Sequence, residues 1–126
     1  DLPGFAFTVG NFQTNKHPEF IIFGLRSDMA HQILNLAVSG LNSGAIFDLS
    51  LPTDELLNGY PCMFVQVPEA EYREHVGYCR WYYEGNAFPL YQIVWPSKDG
   101  KFPWHAQASD SFRAAQPVLG HSQQGS

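Results

Sequence analysis

Basic residues are scarce in this chain and none stands beside another. Lys and Arg total seven against twelve Asp and Glu, a net charge of −5. Phosphate polyanions are held by clustered cations, so nucleic acid is not an expected partner. No apolar run approaches the ~20 residues of a membrane span, which argues against a membrane role. Cysteine is limited to Cys62 and Cys79, without the C-x-x-C spacing of a redox motif or zinc knuckle. G-x-S-x-G, Walker and G-x-G-x-x-G strings are all missing, so nucleophile-elbow hydrolases, P-loop enzymes and dinucleotide folds leave the leading list. The stretch after Asp1-Leu2-Pro3 has no charged n-region followed by an apolar h-region, and the start without Met is expected to be a trimmed terminus.

Aromatic residues are abundant by contrast, at 15% of the chain, with ten Phe, six Tyr and three Trp. Few charges and many rings favour a packed fold over disorder. A chain of 126 residues is one domain by length. It buries about two thirds of its unfolded surface, enough for a core without metal or disulfide staples. No metal or other cofactor is expected, and two buried free thiols imply a cytosolic location.

Five segments read as strands: Phe5–Val9, Glu19–Phe23, Phe47–Leu51, Cys62–Val67 and Leu90–Trp95. Asn11–Lys16 reads as a polar loop. Met29, Ala30, Ile33, Leu34, Ala37 and Leu41 recur at helical spacing behind an N-cap at Ser27 or Asp28. Tyr72, Val76, Cys79 and Tyr83 mark a second helix that starts near Pro68 and stops at Gly85. A short helix follows from Ser109 or Asp110 to Ala115. The expectation is an α+β single domain over residues 1–120. Its five-stranded sheet, antiparallel or mixed, carries two main helices on one face, and a flexible tail covers 121–126.

Three constellations carry candidate chemistry. His17-Pro18-Glu19 opens the second strand, where residues two apart share a face, so an imidazole and a carboxylate are expected to meet one ligand. Glu71, His75 and Cys79 are spaced four apart on a helix, as half a metal site or a thiolate–imidazole pair would be; a core thiol beside a boundary His fits the same spacing. Trp95-Pro96 and Phe102-Pro103-Trp104 flank the polar tip Ser97–Lys101, with Gly100 expected at positive φ. Three rings beside a strand end make either a lid on the core or one wall of a pocket. The candidate pocket therefore comprises His17, Glu19, Trp95, Phe102, Trp104 and His105. His31 and His105 show no metal-ligand spacing.

Phe5–Gly10, His17-Pro18-Glu19, Phe23-Gly24-Leu25, Gln92–Pro96 and Gly100–Trp104 occur in that order. Together they resemble the bacterial family known as domain of unknown function 4262, over about Pro3 to Gln116. Members carry Asp after the Trp-Pro pair where Ser97 stands here, which weakens the case for an essential acid there. The resemblance implies a small stand-alone domain and brings no activity or catalytic residues. A binding module that recognises or neutralises a partner protein is the favoured role, since an acidic domain steers toward a basic partner. The competing role is a small-molecule enzyme or sensor using the six-residue pocket.

Overall fold

Glu19–Phe23 does not alternate between inward and outward residues: all five positions are buried, as a strand covered on both faces requires. The computed structural model describes residues 4–57 and 59–120. The expected tail 121–126 and the trimmed start at Asp1–Pro3 lie outside the described residues. Among the described residues four strands form one sheet, β1 (Phe5–Phe7), β2 (Glu19–Phe23), β3 (Met63–Gln66) and β4 (Leu90–Val94). Their order is β1-β2-β4-β3. β1 pairs antiparallel with β2, β2 parallel with β4, and β3 antiparallel with β4.

Among the described residues five α-helices accompany the sheet: α1 (Asn11–Asn15), α2 (Ser27–Asn42), α3 (Tyr72–His75), α4 (Gly77–Tyr82) and α5 (Asp110–Ala115). Helices cover both faces, not one. Ala30, Ile33, Leu34 and Ala37 of α2 pack with Phe20, Ile22, Phe64 and Ile93 on the first face. Tyr72 of α3 and Cys79 of α4, with Val76 between the helices, pack with Ile21, Phe23 and Leu90 on the second. Alternate residues of β2 thus feed two cores. No helix among the described residues is long and apolar enough to cross a membrane.

Four further expectations are corrected. Residues 47–51 form no strand. Asp48 Oδ1 accepts the Ser50 N–H at 3.0 Å in a local turn, and Leu51 is exposed. The alternation there is a coincidence of turn residues and two partly buried side chains, Phe47 and Leu49. The helix expected from Pro68 to Gly85 is a 3-10 turn (Glu69–Glu71) followed by α3 and α4, broken at Val76, whose φ is −124°. Gly77 follows it, and a β-branched residue before glycine propagates a helix poorly. The apolar stripe survives the break: Tyr72, Val76 and Cys79 are all buried. The supposed loop at 11–16 contains α1. Neither Ser27 nor Asp28 caps α2; Ser27 is its first residue, and Arg26 precedes it without a side-chain cap. At α5, by contrast, Ser109 is the cap and accepts the Phe112 N–H.

Candidate functional site

Glu19 is fully buried. A carboxylate without water must be satisfied by donors from the chain. Thr8 Oγ1 donates to its Oε1 at 2.6 Å, and the N–H groups of Gly10 and Phe12 donate to Oε2 at 2.9 and 3.0 Å. The Tyr83 hydroxyl also donates to Oε2. Gly10 sits at φ 97°, which turns the chain so that its own N–H and that of Phe12 both reach Glu19. The carboxylate therefore serves the orphan donors at the start of α1. Burial, then the bond to Glu19, pushes the Tyr83 hydroxyl up to about 12. Burial, with the Glu19 charge adding to it, also pushes the Cys79 thiol up to about 12. That thiol donates to the Thr8 carbonyl at 3.2 Å.

His17 does not share the face of Glu19. Its ring lies 5.1 Å from Phe20 and 6.4 Å from Phe47, in the α2-side cluster. The strand starts at Glu19, so the two-residue period does not extend back to His17. Nδ1 lies 3.0 Å from the Pro18 carbonyl and so carries the hydrogen, while Nε2 is buried without a partner among the described residues. Burial lowers its pKa, opposed by the Pro18 carbonyl and the Glu19 charge.

The aromatic–proline segment lies at the other end of the sheet. Glu19 is paired with Leu90 and Ile21 with Gln92, so the parallel strands begin together and end together. Trp95 follows the end of β4, and its Nε1 donates to the Phe23 carbonyl at 2.8 Å. Five-residue strands separate the two ends by on the order of 13 Å. Gln116, also fully buried, brackets Trp95: its Oε1 accepts the Trp95 N–H at 2.9 Å and its Nε2 donates to the Trp95 carbonyl at 2.8 Å. The Trp95 ring meets Phe112 edge-on, whereas Phe102 and Trp104 stack on each other at 5.1 Å. Gly100 has φ 83°, the positive value its turn requires. His105 is exposed, and its carbonyl accepts from Arg113 at 2.8 Å. The six candidate residues thus fall into two groups, His17 and Glu19 at one end, Trp95, Phe102, Trp104 and His105 at the other.

The second constellation also separates. Cys79 turns inward to Thr8, while His75 Nδ1 faces the Glu71 carbonyl at 2.9 Å and its ring packs on Phe5 and Phe23. His31 is exposed on α2, 3.4 Å from Ser27 Oγ. Among the described residues no group of three or more His, Cys, Asp or Glu is placed to hold a metal ion. Cys62 belongs to the α2-side core and Cys79 to the opposite one, and both are free thiols.

The outward face of α4 stands apart from these buried groups. Tyr78 and Trp81 stack at 5.4 Å with nearly parallel rings, and they are 58% and 69% exposed. Beside them the Tyr82 hydroxyl donates to Gln13 Oε1 of α1. A cleft of about 570 Å³ runs between α1 and α4, lined by Phe12, Gln13, Lys16, Tyr82, Tyr83 and Glu84. Sequence reasoning passed over Tyr78 and Trp81. Their signal was available: they are aromatic, three apart on a helix, and off its apolar stripe.

Residues 1–109 match the family described as Domain of unknown function (DUF4262). No curated protein and no solved structure matches the chain. The match covers most of the 126 residues and includes both motif groups, so the chain belongs to the domain of unknown function 4262 family.

Proposed function

We propose that the domain is a binding module that recognises a partner protein through the outer face of α4. The observation that carries this is the exposed, stacked pair of Tyr78 and Trp81. Large rings left in water forgo burial energy, and Tyr and Trp are the residues that most often anchor protein interfaces. The platform under them is fixed: Cys79 holds α4 to Thr8, Arg80 Nε donates to Asn86 at 2.7 Å, and Tyr83 is tied to Glu19. A preorganised aromatic surface loses little entropy on docking. The net charge of −5 favours a basic partner by electrostatic steering.

Groups with catalytic potential point the other way. The Cys62 thiol, like that of Cys79, is pushed up to about 12 by burial, so neither supplies a thiolate nucleophile. Glu19 is enclosed and occupied by four donors from the chain. A pocket combining the His-Pro-Glu and Phe-Pro-Trp motifs would have to span the length of the sheet.

Tagged wild-type protein and the Tyr78→Ala/Trp81→Ala double variant are compared in affinity capture from the source cell, with the captured protein then titrated in purified form. The double variant keeps the wild-type circular dichroism and weakens the purified complex by about thirtyfold or more, the scale of a lost anchor. Equal affinity of both forms would refute the assignment of α4.

A further inference from the structure

The cleft between α1 and α4 carries a second, separate signal. Among the described residues only two that are not glycine have positive φ, Lys16 at 55° and Glu84 at 57°. Both line this cleft. Lys16 closes α1 with its N–H on the Phe12 carbonyl, and Glu84 follows α4 with its N–H on the Trp81 carbonyl. Such helix-terminal positions favour glycine, because a Cβ is disfavoured in the left-handed region. Every other left-handed residue described is a glycine. Two side chains of opposite charge thus stand where the backbone alone would prefer none, on the rim of one cleft.

Among the described residues neither charge takes part in an ion pair. Beneath the rim the walls are aromatic and fixed. The Tyr83 ring meets Phe12 edge-on at 5.8 Å and Tyr82 at 5.0 Å. The Tyr83 hydroxyl is occupied by Glu19 and by the Gln13 N–H, and that of Tyr82 by Gln13 Oε1. With their hydroxyls engaged, the tyrosines offer mainly ring surface. The volume of about 570 Å³ lies within the range of small-molecule sites.

We propose that this cleft binds a small zwitterion with an apolar or aromatic body, an α-amino acid being the simplest member of the class. Lys16 takes the anionic group, Glu84 the cationic group, and the rings of Phe12, Tyr82 and Tyr83 take the body. A ligand carrying only one sign of charge satisfies one rim residue and leaves the other without a partner. The site does not depend on Tyr78 or Trp81, so it stands or falls apart from the docking surface on α4.

The test uses the full chain and calorimetric or NMR titration with the free L-amino acids, L-phenylalanine first. N-acetyl-L-phenylalanine, which lacks the cation, and L-phenylalanine amide, which lacks the anion, serve as controls. Lys16→Gly and Glu84→Gly are tested beside the wild type. L-phenylalanine or another apolar amino acid should bind with a Kd near or below about 1 mM. Each capped form should bind about tenfold more weakly. Both glycine variants should melt at or above the wild-type temperature yet lose about tenfold or more in affinity. A purely structural role for the two residues would not give that combination. Absence of saturable binding by any free amino acid, equal binding of the capped forms, or undiminished affinity in the glycine variants would each overturn the proposal.

Discussion

The two ends of the parallel β2–β4 pair fix peripheral segments to the same sheet with different chemistry. Where the strands begin, a buried carboxylate, Glu19, gathers four donors: Thr8 and Gly10 between β1 and α1, Phe12 in α1, and Tyr83 just after α4. Where they finish, a neutral amide does the fastening. Gln116 brackets the Trp95 backbone, and nearby Gln92 Nε2 donates to the Pro117 carbonyl at 2.8 Å while its Oε1 accepts the Leu119 N–H at 2.9 Å. An amide is both donor and acceptor, so each Gln closes a self-contained pair of bonds. A carboxylate only accepts, and it needs converging donors from several segments. The charged end is therefore the more cooperative, and it is the end that supports α4 and the cleft.

Replacement of the two latches separates them most strongly. Glu19→Ala strands several buried donors and should cost about 3–5 kcal/mol in denaturant unfolding. Gln116→Ala leaves one N–H and one carbonyl unpaired and should cost about 1–3 kcal/mol. Equal losses would remove the distinction between the ends.

Alkaline titration sharpens the charged end next. The folded-state pKa of Tyr83 is raised to about 12, so the unfolded chain loses that proton first. The associated stability is complete below pH 10 and declines as pH rises toward 12. Tyr83→Phe should flatten that decline, and an unchanged alkaline profile would speak against the Glu19–Tyr83 bond. The thiols follow the same logic. Cys62 and Cys79 should resist alkylation in the native protein and take up two labels after unfolding without reductant, as read by mass. Two missing hydrogens and no label would indicate a disulfide instead.

His17 gives the smallest effect. Its folded-state pKa lies below 6.5, so the unfolded chain takes up the proton first as pH falls. Its contribution is complete above pH 6.5 and is lost as pH falls through the window below that value. His17→Phe should reduce the acid sensitivity in that window. A variant with the wild-type pH profile would contradict burial of a neutral imidazole.

What was legible in the sequence was whatever a local window encodes. The apolar run of β2, the period of α2 and the short helix α5 are local, and they form as expected. α1 was not legible, because its first turn is served by a carboxylate seven residues beyond Phe12, across a turn and into a strand. The alternation at 47–51 misled because an Asp–Ser turn mimics period two. Family motifs were visible as strings. Their separation follows from the parallel pairing of β2 with β4, a long-range choice that no motif records. The cleft escaped notice for a similar reason: Lys16 and Glu84 are far apart in the chain, and their left-handed backbones mean something only once they line one space.

Amide hydrogen exchange at three positions tests the contrast between the ends most directly. Gly10 and Phe12 donate to Glu19, and Trp95 donates to Gln116. All three amides should be protected in the wild type. Glu19→Ala should strip protection from Gly10 and Phe12 while leaving Trp95 slow, because it removes the oxygen on which both amides converge. Fast exchange at Gly10 and Phe12 in the wild type, or protection there untouched by Glu19→Ala, would contradict a carboxylate latch.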